Sequence, residues 1–369
     1  MRPFCTALDR ALRRRLAAAT VAACLLGALL PAAAGEIRHC RAAGVTVPML
    51  MLVAAMFIGG FETRAADVGR ALLRPGLLLA GLGVALVLRA VVLLGAERAA
   101  AGCWPDVREA RWLVVGLALT AAMPVAGAAQ TWGARVGGDA PLGLGLVLVT
   151  TLLSPLTTPL GLALAEEPES GGLRRVLDAL AHSDTTCRFM ALWVALPCLA
   201  GLLARRATRG LLSGRLRAAL LPRLRLAGLL NALALTYLNA AGVAREIVLR
   251  PEPRLVAVAA GCGALVCAGP FLAGWLATRR SPAPPAARTT LTLASGLNNT
   301  SAAAALAGAQ FGGHPAVLLP IFFYGAAQQV LASFLPGLLR TPATPLPTCG
   351  DRVVEVPTPR SLPDFTRVW

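Results

Sequence analysis

Apolar and polar positions alternate along this chain in long blocks, not in steps of two or in single amphipathic turns. Ten apolar runs occupy residues 16–35, 45–60, 72–94, 112–133, 141–165, 189–204, 218–242, 254–277, 289–310 and 315–337. About 20 mostly apolar residues suffice for a helix to cross the hydrocarbon of a bilayer. The blocks therefore predict an all-α polytopic membrane protein of about ten transmembrane helices. The expected layout is a basic N-terminus over 1–15, five helices over 16–165, an external loop over 166–188, five more helices over 189–337, and a proline-rich tail over 338–369. The first run has a second reading. Arg10 and Arg13 to Arg15 precede an apolar stretch ending in Pro31, three alanines and Gly35, which also fits a cleavable secretory signal. Both readings leave the basic end inside the cell.

Composition strengthens the membrane assignment. Of 369 residues, 56% are hydrophobic and only 14% charged, with a mean hydropathy of +0.67; soluble domains carry roughly 25% charged residues. The positive side of the +17 net charge comes entirely from arginine, which lies between the apolar runs. A ten-span map with the N-terminus inside puts about twice as many arginines on the inner side as on the outer. The expected location is the cell's inner (plasma) membrane, multi-pass, with both termini cytoplasmic. All 18 acidic residues fall in loops, termini or helix ends, so no mid-span carboxylate marks a proton relay. Neither a basic-aromatic platform nor a glycine-rich phosphate loop is present, which excludes nucleic acid as the partner. The nine cysteines are scattered, and His39, His182 and His314 lie far apart in sequence. That leaves no material for a zinc or His-based catalytic site. The reading is of a non-enzyme without a cofactor, and oligomeric state is not legible.

Two runs are interrupted in the same way. Residues 120–145 place Pro124 and Gly127, then Gln130 and Thr131, then a small-residue stretch ending near Gly137 and Gly138. Residues 292–319 place Gly296, then Asn298, Asn299, Thr300 and Ser301, then a similar stretch ending at Gly312 and Gly313. These are the fourth and ninth runs, each the fourth of five. An odd number of spans per half makes the two halves inverted repeats, with broken and crossing fourth and ninth helices. Broken helices leave backbone groups without intrahelical partners, tolerated at membrane depth only where they are buried in protein or line a wet cavity. Paired half-helix ends build midplane binding sites. Gln130, Thr131, Asn298, Asn299, Thr300 and Ser301 are therefore the expected substrate-binding residues. Interhelical glue is the alternative reading of such amides. Lining residues should bind ligand while leaving stability without ligand nearly unchanged, and Gln328, in the tenth run, is expected to lie away from both crossovers. Asn231, Thr236, Tyr237 and Asn239 could line the crevice or pack helices. Arg89 could meet a substrate carboxylate or snorkel to the interface, and Glu166, Glu167 and Glu169 read as a solvated loop cluster.

The sequence resembles the bile acid:sodium symporter family. The resemblance is carried by Gly59, Gly60 and the basic loop ending Arg74-Pro75, and by Thr151, Leu152, Leu153, Pro155, Leu156, Thr158 and Pro159. It is carried also by the "GLNNTSAAAALAGAQF" crossover, and it covers roughly residues 45–335. It implies a symporter of organic anions, bile-acid-like amphipaths included. The departures concern sodium. The family's acidic ligand two positions before the crossover glycine is Ala294 here, its serine-asparagine pair falls on Ala129 and Gln130, and two hydroxyl positions fall on Gly143 and Val147. The crossover glutamine becomes Asn298. Sodium is the one ion the resemblance brings in, and the metal-site positions Ala129, Gln130, Gly143, Val147, Ala294 and Asn298 are degenerate for it. The expected function is secondary transport of a small organic anion across the lipid bilayer by alternating access. A non-transporting sensor or assembly subunit that retained the fold is the alternative.

Overall fold

The computed structural model describes Leu8, Leu12 and residues 15–42, 44–103, 107–164, 184–211, 213–249 and 251–339. Apart from a two-residue strand pair (Arg41–Ala42 with Val45–Thr46) the regular structure is helical. The helices are α1 (Leu16–Leu29), α2 (Pro31–His39), α3 (Val47–Glu62), α4 (Ala65–Leu72), α5 (Pro75–Cys103), α6 (Val107–Ala122), α7 (Ala128–Arg135) and α8 (Ala140–Leu164). They continue as α9 (Asp184–Phe189), which runs through a π-helical turn (Met190–Ala195) into α10 (Leu196–Leu211), then α11 (Gly214–Leu249), α12 (Pro253–Arg279), α13 (Pro285–Gly296), α14 (Thr300–Gln310) and α15 (Leu318–Leu339).

Among the described residues, five of these paths are long and apolar enough to cross a membrane, or seven if two bent helix pairs each count as one span. Every expected run coincides with helix, but the outlines differ. The first run is not one rod: α1 and α2 meet at 90°, because Pro31 cannot continue α1 and instead starts a new helix. The loop expected after the second run contains α4, turned 75° from α3. The loop expected to end at residue 188 already includes α9. The fourth and ninth runs escape a length criterion because each is divided into halves of 8 to 16 residues. Glu166, Glu167, Glu169, His182, the tail beyond Leu339 and the side chain of Arg89 lie outside the described residues.

Large apolar side chains point outward along these helices, among them Leu156, Leu203, Leu272 and Phe334. An apolar exterior of this kind is the signature of a lipid-facing surface. Inside, the helices pack in two groups. One joins α1, α2, α3, α10 and α11; the other joins α5, α6, α7, α8 and α12 to α15. Close approach in the first group rests on glycine. A Cβ on Gly60 would fall within the carbonyl of Cys198, and one on Gly201 within the carbonyl of Phe57. Backbone therefore meets backbone across α3 and α10, as small residues permit in membranes. At the edge of the second group, Arg74 bonds Asp139 at 2.9 Å, while the Asp139 carboxylate also accepts from the Leu142 amide at the start of α8.

Candidate functional site

The two interrupted helices meet at their breaks. Residues 123–127 between α6 and α7, and 297–299 between α13 and α14, run antiparallel, with Val125 bridged to Asn298. The Ala126 amide donates to the Leu297 carbonyl at 2.9 Å, and the Asn299 amide donates to the Pro124 carbonyl at 3.0 Å. Each broken segment thus supplies part of what the other lacks. Side chains satisfy much of the remaining backbone. The Thr150 hydroxyl accepts from the Val125 amide (3.2 Å), and the Thr158 hydroxyl donates to the carbonyl of Ala122 (3.1 Å). Tyr324 donates to the Gly296 carbonyl (3.0 Å) at the end of α13. This accounting explains the hydroxyl-rich stretch of α8: Thr150 and Thr158 are buried where an unwound backbone needs partners. Pro124, lacking an N–H, suits a break in which only its carbonyl is used.

The amide residues divide into two kinds. Asn298 is buried and tied to the neighbouring helices: its Nδ2 donates to the Thr120 carbonyl at 2.8 Å and its backbone N–H to Gln328 Oε1 at 3.0 Å. Its Oδ1 is buried without a hydrogen-bond partner among the described residues. Asn299 Oδ1 accepts from the Ala302 amide at 3.1 Å, capping the N-terminus of α14, while its Nδ2 reaches Met56 Sδ at 3.6 Å. Gln130, Thr131 and Ser301, by contrast, make no side-chain hydrogen bond among the described residues.

A cavity of about 320 Å³ opens against this crossing. Gln130, Thr131, Asn298, Asn299, Thr300 and Ser301 all line it, from the first turn of α7, the second break and the first turn of α14. The opposite wall comes from α1, α3 and α11, so the cavity lies between the two helix groups. Its size is at the small end of ligand pockets, which are concave and mostly apolar with a few placed polar groups. Two half-helix N-termini at one cavity present N–H groups and positive dipole ends, an arrangement that favours an anionic or hydrogen-bond-accepting ligand.

Gly296 is the last residue of α13, directly before the break, and its lack of a side chain admits the Phe271 ring, which a Cβ would overlap. Two expectations need correction. Gln328 is not remote from the crossovers, since it accepts from the Asn298 amide, and neighbouring Gln329 accepts from Trp132 Nε1 of α7 at 3.1 Å. Asn299 carries a cap as well as a place in the cavity wall. Asn299→Ala is therefore expected to lower the melting temperature of the ligand-free protein, at a cost of about 1 kcal/mol, while Asn299→Asp or Asn299→Ser retains the cap. Thermal unfolding of the three variants measures this.

The site residues that sequence patterning does not single out are Gln328, Gln329, Thr120, Met56, Glu62 and Arg225, all but Thr120 lining the cavity. Two adjacent amides in the apolar run 315–337 are the available signal for the glutamines. Of the crevice candidates, Thr236 and Asn239 line the cavity, Asn231 Nδ2 bonds the Met51 carbonyl at 2.8 Å, and the Tyr237 hydroxyl bonds the Leu30 carbonyl at 3.0 Å.

The oxygen set can be tested against sodium. Ala129 and Ala294 are buried among apolar neighbours, and neither they nor Gly143 nor Val147 offers a side-chain oxygen. The unpartnered Asn298 Oδ1 and the uncommitted Gln130 Oε1 are two acceptors, whereas a hard cation takes about six or more. The degenerate positions do not fit the ion. Among the described residues no group of three His, Cys, Asp or Glu could hold a metal.

In comparison with known proteins, the family model described as the sodium bile acid symporter family matches residues 49–250, more than half of the chain. No curated protein matches the sequence.

Proposed function

Since the chain belongs to the sodium bile acid symporter family, a family of transporters, we propose that it carries a small organic anion across the membrane through the cavity at the paired helix breaks. The observation that supports this most is the convergence of two half-helix N-termini on one cavity, with the Gln130 and Ser301 side chains uncommitted there. In this reading ten spans form two inverted repeats of five, and α6/α7 and α13/α14 are their corresponding broken members. The cavity lies between two helix groups that touch around it, so rocking one group against the other would expose it to each side in turn. The arginine bias puts both termini in the cytoplasm.

Sodium coupling is weak or absent in this account. Uptake of cholate and other labelled organic anions into vesicles should change little when sodium is replaced by choline. Ala294→Glu should not create coupling, because a carboxylate buried without its oxygen partners takes up a proton rather than binding an ion. A steep sodium requirement in the unaltered protein would show that other oxygens complete the site. The missing sodium ligands also favour a second reading, a sensor or assembly subunit that binds the anion without moving it. Binding without uptake in vesicles selects that reading; uptake that requires the protein selects transport.

A further inference from the structure

The polar groups of the crossing occupy one face of the cavity, and much of the rest is apolar, with Leu229 and Leu233 from α11 and Ile321 and Phe322 from α15. Among the described residues a single cation interrupts that wall. Arg225 lines the cavity together with Leu16, Glu62 and Thr63. It lies eleven residues into α11, about 16 Å along the axis from Gly214. Its neighbours fix which end of the cavity this is: Leu16 begins α1, Glu62 ends α3, and Arg225 belongs to the first third of α11. Glu62, the acidic residue of the wall, has a partner of its own. Arg225 is half-buried and makes no ion pair or hydrogen bond among the described residues.

A guanidinium against an apolar wall, with its five donors unspent, is matched by a planar or tripod oxyanion, which it holds bidentately. Resting on the reading of the cavity as a substrate site, we propose that Arg225 is the charge anchor of that site. The organic anion already proposed for the cavity would present its carboxylate or sulfonate to this side chain. Its acid lies against Arg225, its body along Leu229, Leu233 and Phe322, and an acceptor group faces Gln130 and Ser301. The amides supply hydrogen bonds without net charge, so discrimination for an acid over its neutral amide falls to Arg225.

The probes are 6-methoxy-2-naphthoate and 6-methoxy-2-naphthamide, of the same shape and different charge and each with an ether acceptor opposite the acid or amide, measured by equilibrium dialysis on the full chain in phosphatidylcholine nanodiscs. The expected result is an acid preference of about tenfold or more, the scale of one charge-assisted hydrogen bond. Arg225→Gln should bring the acid-to-amide ratio near one while leaving naphthamide affinity unchanged, and Arg225→Lys should keep part of the preference. Discs containing phosphatidylglycerol should lower acid binding to the parent and to Arg225→Gln by the same factor, since their surface repels the anion in both; a loss confined to the parent would assign Arg225 to a lipid headgroup and overturn the proposal. A ratio near one in the unaltered protein, or a preference that survives Arg225→Gln, would also overturn it. Gln130→Ala separates this inference from the site reading beneath it, because it should weaken acid and amide alike. If Arg225→Gln acts and Gln130→Ala does not, the anchor stands and the crossover site fails. The reverse leaves the crossover site without this anchor.

Discussion

Gly201→Ala should abolish the folded protein, or leave a small and thermally fragile fraction of it. The added methyl has no space to occupy, because the Phe57 carbonyl and the Phe61 amide stand where it would go. Neither is the far end of a flexible side chain. Accommodation requires α3 and α10 to separate along a contact that is backbone on both sides, with the Gly60 and Cys198 approach in the same seam. Overpacking in cores costs about 1–3 kcal/mol even when side chains can shift, and here they cannot. Monodisperse yield in detergent and thermal unfolding measure the effect. Gly59, whose added Cβ would meet nothing within 4 Å, is the matched control, and Gly59→Ala should be nearly silent. Equal behaviour of the two variants would refute close packing at Gly201.

The second large effect is expected at Gln328. Gln328→Leu keeps approximate volume but removes the acceptor for the Asn298 amide, which then lies buried and unpaired in the middle of the crossing. An orphaned buried donor costs about 1–3 kcal/mol. The loss should exceed that of Asn231→Ala, which removes a helix-packing bond outside the cavity. Gln328→Glu, which retains an acceptor oxygen, should recover part of the stability if it takes up a proton. A Gln328→Leu protein that melts like the parent would mean that the Asn298 amide has another partner.

The parts of this molecule legible in its sequence are those whose signal is physical and local. Apolar runs of the right length predict where helices lie, and amides beside glycine or proline predict where two of them break. Antiparallel pairing of the breaks through Ala126 and Leu297 leaves no local trace, since backbone hydrogen bonds carry no side-chain signature. It is suggested only by the matching positions of the interruptions in the two halves. The bend at Pro31 is visible as a proline inside a run, but the length of that run favours a single rod. Gly296 reads as a breaker because glycine disfavours helix, and α13 ends there, but the close approach of a Phe271 ring twenty-five positions away in sequence has no local sign. Thr150 and Thr158 stand in an apolar helix with nothing local to say that their hydroxyls serve another helix's unwound end. Arg225 lies in an arginine-rich segment whose residues look alike until the fold turns one of them toward the cavity.

The central claim is that the crossing of the two broken helices binds the transported anion. Gln130 and Ser301 test it most directly, because their side chains line the cavity and are uncommitted there. The measurement is the affinity of 6-methoxy-2-naphthoate, whose ether oxygen reaches Gln130 and Ser301 when its acid lies at Arg225, beside the melting temperature without ligand, for Gln130→Ala, Ser301→Ala and the double variant. Each single change should weaken binding roughly tenfold, equivalent to about 1.4 kcal/mol, with the melting temperature nearly unchanged. The double variant should lose less than the sum, since both groups address one ligand. Unchanged affinity in all three proteins would contradict the account and leave the crossing as packing alone.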